Sequence, residues 1–346
     1  RTIDTDIKNR HQESIKNQKK LIIKKYTSAN GRSFILIYEG DAISIEQTME
    51  MYLGNYVHQR SSELLKMVKI FREDCKKTTV DCFTNIIPHL SLLVHGPPGS
   101  GKSTLADKMA MALQRNIIIL NMKDYFEFSD LVQFMKAYRS EKYIVLIDEI
   151  DKFIITLLKD MEKDTEIVDD ENKRRSRVYS YDVDDLLPLF DDSYMSAGAI
   201  TIATTNNPHV INNIGKGGTR GAMVRAGRLK SFKMDYFTRE IVESLLIRKY
   251  GKNHTVKLND KWFDKEGHCV VQNSNMISIL KTTDEKDLVK TINDDIESYK
   301  KLQEHIEPIS ISTQVKDTDI DTDMETYIKT DIKTENESPE TSDEEN

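Results

Sequence analysis

The sequence predicts an α/β fold in which a parallel sheet is flanked by helices. Four short apolar runs carry this prediction, at residues 91–94, 117–120, 143–147 and 199–203. A strand that is apolar at nearly every position, rather than at alternate ones, is typical of a parallel sheet that is buried on both faces. Helical stretches separate the runs, as the crossover connections of a parallel sheet require.

The helices of this core are predicted from apolar spacing and from capping residues. Residues 103–115 are predicted to form a helix directly after the first strand. Its apolar residues share one face: Leu105, Met109, Ala112 and Leu113. Ser129 is placed to cap the N-terminus of a second helix, which is expected to run to Arg139.

Residues 1–80 are predicted to form an N-terminal extension with a β-hairpin and a helix. Apolar strands at residues 21–23 and 34–38 flank Asn30-Gly31. This dipeptide tolerates the positive φ angles of a tight hairpin turn. Apolar side chains at every third or fourth position from residue 44 to residue 76 indicate one helix.

The core is predicted to span residues 81–236 and to be followed by a small helical lid domain at residues 237–307. A helix from Arg239 to Tyr250, capped by Thr238, opens the lid. Residues 308–346 are predicted to be an acidic, disordered tail, because they contain too little apolar surface to offset the entropy of ordering.

The negative charge of the chain is concentrated in that tail. The formal net charge is -7, but residues 313–346 contain 12 acidic and 3 basic side chains, which leaves the rest of the chain near +2. This body has no overall basic footprint for nucleic acid, so nucleic acid is not an expected partner. A basic cluster at residues 173–177 fits either a solvated insertion loop or a binding patch.

The cysteine content favours an intracellular compartment, the cytoplasm in the simplest case. Cys75, Cys82 and Cys269 are odd in number and lack C-x-x-C spacing, which predicts neither a disulfide framework nor a zinc site. No run of 18 apolar residues is present, so no membrane segment is predicted. Because the chain begins at Arg1, we expect a fragment or a processed form, and an upstream targeting signal or anchor stays open.

The segment Gly96–Ser103 reads Gly-Pro-Pro-Gly-Ser-Gly-Lys-Ser and lies between a predicted strand and a predicted helix. This is the G-x-x-x-x-G-K-S pattern of a phosphate-binding loop (P-loop), in which glycines let backbone N–H groups converge on phosphate oxygens. Lys102 is predicted to reach the β- and γ-phosphates of ATP, and Ser103 to ligate Mg²⁺. The predicted nucleotide-binding residues of this segment are Gly96, Pro97, Pro98, Gly99, Ser100, Gly101, Lys102, Ser103 and Thr104.

The apolar strand at residues 143–147 ends in Asp148 and Glu149. At the carboxyl edge of a parallel sheet, these two carboxylates come beside the phosphate loop. Asp148 is predicted to bind the nucleotide through Mg²⁺ and its water shell, and Glu149 to polarise the attacking water as general base. The alternative is an ordinary acidic strand end.

Three further polar residues are catalytic candidates. Asn206 follows the fourth strand, where its amide can orient the attacking water or sense the γ-phosphate, although Asn-Asn-Pro is also typical of a simple turn. Arg225 and Arg228 carry permanent charge and forked donors that suit a phosphate. Two arginines this close are otherwise most often part of a solvated surface.

In order and spacing, the motifs GPPGSGKS, IVLIDEID, IATTNNP and VRAGR resemble those of AAA ATPases over residues 86–250. The resemblance implies that Asn206 is a sensor of the γ-phosphate. It also implies that Arg225 and Arg228 act in trans on the ATP of an adjacent subunit in a ring-shaped homo-oligomer, usually a hexamer. An insert at residues 215–221 supplies Arg220 as a further candidate for that role.

Within this family the chain is most similar to the BCS-type branch, the mitochondrial complex III assembly chaperones. Ile86-Ile87-Pro88 before the phosphate loop and Leu229-Lys230 after the arginines carry the similarity. It implies an ATP-hydrolysing chaperone that remodels a protein client. It also implies a heptamer as an alternative ring, and a mitochondrial location if an upstream signal is missing.

Several alternatives stay open at the level of sequence. The aromatic segment at residues 123–128 fits either a client-binding pore loop or core packing. A nucleic-acid motor of the clamp-loader kind is the main rival function, and it requires a basic track. A module that binds ATP without turnover is a second rival, against which the combination of Lys102, Asp148, Glu149 and Asn206 argues.

Overall fold

The computed structural model describes residues 20–27, 33–77, 88–139, 142–165, 178–190, 196–212, 222–224 and 228–305. Several predictions lie outside these ranges: the Asn30-Gly31 turn, the basic cluster at 173–177, the insert at 215–221 with Arg220, Arg225, and the tail at 308–346.

Seven strands form one mixed, mostly parallel sheet with the order β2-β1-β4-β5-β6-β3-β7. The strands are β1 (Lys20–Tyr26), β2 (Phe34–Asp41), β3 (Leu90–His95), β4 (Asn116–Ile119), β5 (Tyr143–Ile147), β6 (Ile200–Thr205) and β7 (Lys230–Lys233). The five strands from β3 to β7 pair in parallel. The antiparallel hairpin of β1 and β2 extends this sheet, because β1 pairs in parallel with β4. The predicted α/β fold is confirmed.

Helices lie on both faces of the sheet. They are α1 (Ile45–Met49), α2 (Ser61–Lys77), α3 (Lys102–Leu113), α4 (Phe128–Tyr138), α5 (Ile150–Thr165), α6 (Val183–Leu186), α7 (Pro208–Asn212), α8 (Arg239–Tyr250), α9 (Asn273–Thr282) and α10 (Glu285–His305). Helices α1, α2 and α3 pack on one face, and α4 and α5 on the other. None of the helices described is long and apolar enough to cross a membrane.

Two local predictions are wrong. The single helix expected from residue 44 to residue 76 is divided into α1, a π-helical segment at Glu50–Gly54, a turn at residues 55–60, and α2. The π-helical segment ends at Gly54, because glycine loses more conformational entropy than any other residue when it is fixed in a helix. Ser129 does not cap α4, since that helix begins at Phe128 with Glu127 in the cap position and no side-chain cap.

The N-terminal segments pack directly on α3, the helix that follows the phosphate loop. Lys25 Nζ lies 2.9 Å from Asp107 Oδ1, which joins β1 to α3. The buried hydroxyl of Thr48 donates to Ala112 O at 2.7 Å, which joins α1 to the end of the same helix. The segments before the phosphate loop therefore help to fix the direction of α3.

A third apolar cluster forms the interior of the lid, which consists of α8, α9, the first part of α10 and their connections. Trp262 is fully buried there, and its Nε1 donates to Asn293 Oδ1 at 2.9 Å. The connection from β7 to α8, residues 234–238, is called the hinge below. It passes directly behind the phosphate loop.

Candidate nucleotide-binding site

The phosphate loop connects β3 to α3, and its glycines have backbone angles that side chains disfavour. Gly96 has φ of 153° and Gly101 has φ of 98°. A Cβ atom on Gly96 would lie 1.9 Å from the carbonyl oxygen of Met234, so only glycine lets the hinge pass this close. Gly101 is the residue before α3, and the free N–H groups of the first helical turn follow it.

Lys102 folds back across the loop that precedes it. Its ammonium group donates to Gly96 O at 2.9 Å and to Pro97 O at 2.8 Å. The residue is only 8% exposed. Burial lowers the pKa of Lys102, and the nearby carboxylate of Asp148 opposes that shift. The charge of Lys102 is thus held inside the loop, where a phosphate-binding lysine is required.

Asp148 and Ser103 meet where the loop and the end of β5 come together. Ser103 Oγ donates to the Asp148 carboxylate, at 3.1 Å from Oδ1 and 3.3 Å from Oδ2. Thr204 Oγ1, at the end of β6, also donates to Asp148 Oδ1, at 2.5 Å. The carboxylate therefore accepts from two hydroxyl groups on two different elements, which fixes its orientation.

Glu149 sits in an unusual backbone conformation next to Asp148. Its φ is 52°, in the left-handed region that residues other than glycine rarely adopt. The amide N of Glu149 donates to Thr204 Oγ1 at 2.9 Å, so one threonine holds both acidic residues. Strained backbone of this kind often occurs at functional sites.

Both carboxylate oxygens of Glu149 have partners. Asn206 Nδ2 donates to Oε1 at 3.4 Å, and Lys152 Nζ donates to Oε2 at 2.6 Å. The structure thus brings the phosphate loop, Asp148, Glu149 and Asn206 together. Arg228 is half-buried just before β7, and Arg225 lies outside the described residues.

The chemistry of these donors fits Mg²⁺. Ser103 and Asp148 offer hydroxyl and carboxylate oxygens, which are the hard ligands that Mg²⁺ prefers. No group of three or more His, Cys, Asp or Glu residues that could hold a metal occurs within the described part of the chain. A site with few protein ligands suits Mg²⁺, which usually keeps several waters and binds substrate phosphates.

A cavity of about 500 Å³ adjoins the phosphate loop on its lid side. Ser100, Gly101 and Thr104 contribute the loop side of its lining. The other sides come from three separate segments, and the residues used below are Tyr52, Tyr56, Lys108, Arg248, Asn273 and Lys281. Sequence reasoning missed these residues, since nothing local in the sequence indicates that residues 50–57 and α9 meet at the loop.

Sequence reasoning also missed Thr204. The motif IATTNNP contains Thr204, but the sequence pattern indicates a role only for Asn206. The available signal was its place at the end of a buried strand, beside the strand that ends in Asp148.

The aromatic segment at residues 123–128, after β4, was predicted to be either a client-binding pore loop or part of the core. Tyr125 and Phe128 pack against the core formed by α4 and α5, and Tyr125 lies 5.4 Å from Phe134 between ring centroids. Phe126 is 52% exposed and stacks on Tyr179 at 5.6 Å. Packing therefore accounts for two of the three aromatic residues and leaves Phe126 on the surface.

A glycine-rich loop follows β3, and the carboxylates of Asp148 and Glu149 follow β5. Together with the order of the strands, these features define a nucleotide site of the P-loop NTPase type on an α/β fold. Residues 92–214 match the family model described as "ATPase family associated with various cellular activities (AAA)". Over these residues the chain is therefore similar to AAA ATPase domains.

A similar protein is an AAA-ATPase of Arabidopsis thaliana, which is 29% identical over 159 residues. The match covers 44% of this chain and 31% of the relative, so the chain spans less than a third of the length of that protein. The similarity is distant and agrees with the family of the matched domain.

Proposed function

We propose that this chain binds ATP with Mg²⁺ and hydrolyses it to ADP and phosphate. One observation carries the proposal: Ser103, Asp148, Thr204, Glu149 and Asn206 form a continuous chain of hydrogen bonds beside the phosphate loop. A nucleotide-binding module without turnover has no need of a carboxylate held beside the phosphates by an amide donor.

The nucleotide is proposed to lie with its phosphates in the loop and its adenosine in the adjoining cavity. The cavity of about 500 Å³ is large enough for a nucleoside and opens directly from Gly101 and Thr104. Tyr52 and Tyr56 offer aromatic surface to a base. Lys108, Arg248 and Lys281 contribute positive charge around the same cavity, which favours an anionic ligand.

Ser103 and Asp148 would hold Mg²⁺, which when bound supplies positive charge to the phosphate oxygens. Lys102 adds a second positive charge from inside the loop. The Asp148 carboxylate is kept in place by Thr204, so its position does not depend on the ligand.

Glu149 is proposed to act as the general base. A water oxygen bonds to the γ-phosphorus while the bond from that phosphorus to the β–γ bridging oxygen breaks. The proton of the water passes to the Glu149 carboxylate, and ADP leaves with the electron pair of the broken bond. Asn206 holds Oε1 of Glu149 and orients the carboxylate towards that water.

The output of hydrolysis is proposed to be the remodelling of a protein client by a ring-shaped homo-oligomer. The family of the matched domain supports this class of function. Phe126 supports a client contact, since it is an exposed aromatic residue in the segment after β4. The same proposal includes membership of the BCS-type branch and a cytoplasmic or mitochondrial location. It also includes a hexamer or heptamer in which Arg225 or Arg228 acts in trans.

The enzymatic part is tested by the change Glu149→Gln, which keeps shape and removes the base. We expect turnover to fall by about 100-fold or more, because general bases contribute roughly 10²–10⁴-fold. Nucleotide affinity should stay near that of the wild type. Glu73→Gln, an exposed change in α2, is the matched control. Undiminished turnover in Glu149→Gln would refute the proposed mechanism.

The assembly is tested by size-exclusion chromatography with light scattering, using Glu149→Gln with ATP and Mg²⁺. A ring of six or seven subunits is the expected species. The single change Arg228→Ala should lower the ATPase activity of the chain more than it lowers the affinity for ATP. A monomer under all conditions would exclude catalysis in trans.

A further inference from the structure

The phosphate loop is held from behind by the hinge and the lid. Three consecutive loop carbonyls accept hydrogen bonds from this region: Pro98 O from Tyr236 Oη at 2.9 Å, Gly99 O from Ser274 N at 3.2 Å, and Ser100 O from Asn273 Nδ2 at 3.1 Å. Donors from the hinge and the lid therefore hold three of the eight residues of the loop.

Asn273 makes the most extensive of these connections. It is the first residue of α9 and only 4% exposed. Its Nδ2 donates to Asp235 O as well as to the loop, at 3.1 Å in each case, and its Oδ1 accepts from the backbone N of Phe237 at 2.8 Å. One amide side chain thus joins the phosphate loop, the hinge and the lid.

The direction of a loop carbonyl decides the direction of the next N–H group. A trans peptide is planar, so its carbonyl and its amide point in opposite directions. When Asn273 holds the carbonyl of Ser100 towards the lid, the N–H of Gly101 is turned away from the lid. The anion-binding capacity of a phosphate loop depends on such N–H groups converging on one point.

We propose that Asn273 is a positioning residue for the nucleotide phosphates and that it transmits the position of the lid to the phosphate loop. This inference rests on the proposed ATP binding and hydrolysis. Displacing α9 removes the Asn273 and Ser274 donors together and frees the Gly99 and Ser100 carbonyls to rotate. The position of the lid then controls nucleotide affinity through the direction of the N–H groups of the phosphate loop.

The change Asn273→Ala tests the inference in the full chain. The matched control is Asn275→Ala, because Asn275 lies on the same helix but is exposed, and its Nδ2 donates to Asp295 Oδ1 at 3.3 Å rather than to the loop or the hinge. Calorimetry with ADP and steady-state kinetics with ATP and Mg²⁺ give Kd, KM and kcat. For Asn273→Ala we expect Kd and KM to rise about 10-fold or more while kcat changes by less than about 3-fold, since ground state and transition state lose the same contacts.

The control should match the wild type in all three constants. A merely structural role for Asn273 would lower the unfolding temperature and leave Kd and KM unchanged, and that result overturns the inference. A wild-type chain that neither binds nor hydrolyses ATP would overturn the proposed function instead. The two failures are therefore distinguishable.

Tyr236→Phe provides a second test in case Asn273→Ala does not fold. It removes a single hydroxyl, the donor to Pro98 O, from a half-buried residue. We expect KM and Kd to rise about 3-fold with kcat unchanged, as the loss of one hydrogen bond implies. Wild-type values of Kd and KM in this variant would count against the hinge as a support of the loop.

Discussion

The phosphate loop and the carboxylate-bearing end of β5 lie side by side, yet they are held in place in different ways. The loop depends on the hinge and the lid, with donors such as Tyr236 and Asn273 that lie far along the chain. The carboxylates depend on the sheet itself, because Thr204 at the end of the neighbouring strand holds both Asp148 and Glu149. We therefore expect one half of the site to respond to the position of the lid, while the other half is held by the sheet.

This difference separates the effects of substitutions. A change on the loop side should alter the hinge, the lid and nucleotide affinity together. A change on the carboxylate side should alter turnover and the stability of the sheet. The following predictions test that separation, beginning with the largest expected effect.

Gly96→Ala should be the most damaging single change on the loop side. The added Cβ would meet the backbone oxygen of Met234 at 1.9 Å, and no side-chain rotation can relieve this contact. We expect a loss of roughly 4 kcal/mol in the free energy of unfolding from overpacking and strain combined, together with loss of ADP binding. Urea denaturation and calorimetry measure the two effects.

Gly251→Ala is the control for backbone strain alone. Gly251 also has positive φ, 91°, but a Cβ atom there would meet nothing within 4 Å. It should cost roughly 1–3 kcal/mol, the strain of a side chain in a backbone region that favours glycine, and leave ADP binding intact. Equal costs for the two variants would show that the hinge does not pack tightly behind the loop.

Thr204→Val should be the change on the carboxylate side that most lowers the free energy of unfolding. It removes the donor to Asp148 and leaves the amide N of Glu149 without its acceptor. We expect a loss of about 3 kcal/mol in the free energy of unfolding and a fall of about 10-fold or more in kcat, with a smaller effect on ADP affinity. Denaturation and steady-state kinetics provide the measurements.

Thr201→Val in the same strand is the matched control. The hydroxyl of Thr201 is fully buried and has no hydrogen-bond partner among the described residues. Its removal should be neutral or slightly stabilising, because an unsatisfied polar group is lost. If both variants lose stability equally, the role assigned to the Thr204 hydroxyl is wrong.

The same division explains what the sequence could and could not predict. The apolar strands, the phosphate loop and the position of Asp148-Glu149 follow from local patterns, and they are present as expected. The contacts on the loop side were not predictable, because Asn273 belongs to no motif and acts only through the way α9 packs. Such long-range contacts leave no periodic signal in one sequence.

Local patterns also misled in two places, for a related reason. The apolar spacing from residue 44 to residue 76 continues through the turn at residues 55–60, because Tyr56 and Val57 in that turn pack, partly buried, against two of the apolar clusters. Ser129 resembles a cap, but the helix begins one residue earlier at Phe128, whose ring packs against the core. Tertiary packing outweighed local propensity in both cases.

Acidification should weaken the loop side through His58. The ring is buried between Tyr56 and Phe232, and burial lowers the pKa of His58 to about 4, although Asp235 acts in the opposite direction. The neighbouring Gln59 donates to Tyr236 O in the hinge at 3.4 Å. Protonation of His58 thus acts on the segment that supports the loop.

Because the folded pKa lies below the ordinary value of 6.5, the unfolded chain binds this proton more readily. The stability that neutral His58 contributes is complete above pH 6.5 and is lost as the pH falls towards 4. At pH 5 the loss relative to pH 7 should be about 2 kcal/mol, and His58→Gln should abolish this part of the pH dependence. Urea denaturation at the two pH values measures it, with the exposed His209→Gln as control. If His58→Gln keeps the full pH dependence, another group is responsible and the loop side has no acid-sensitive support at His58.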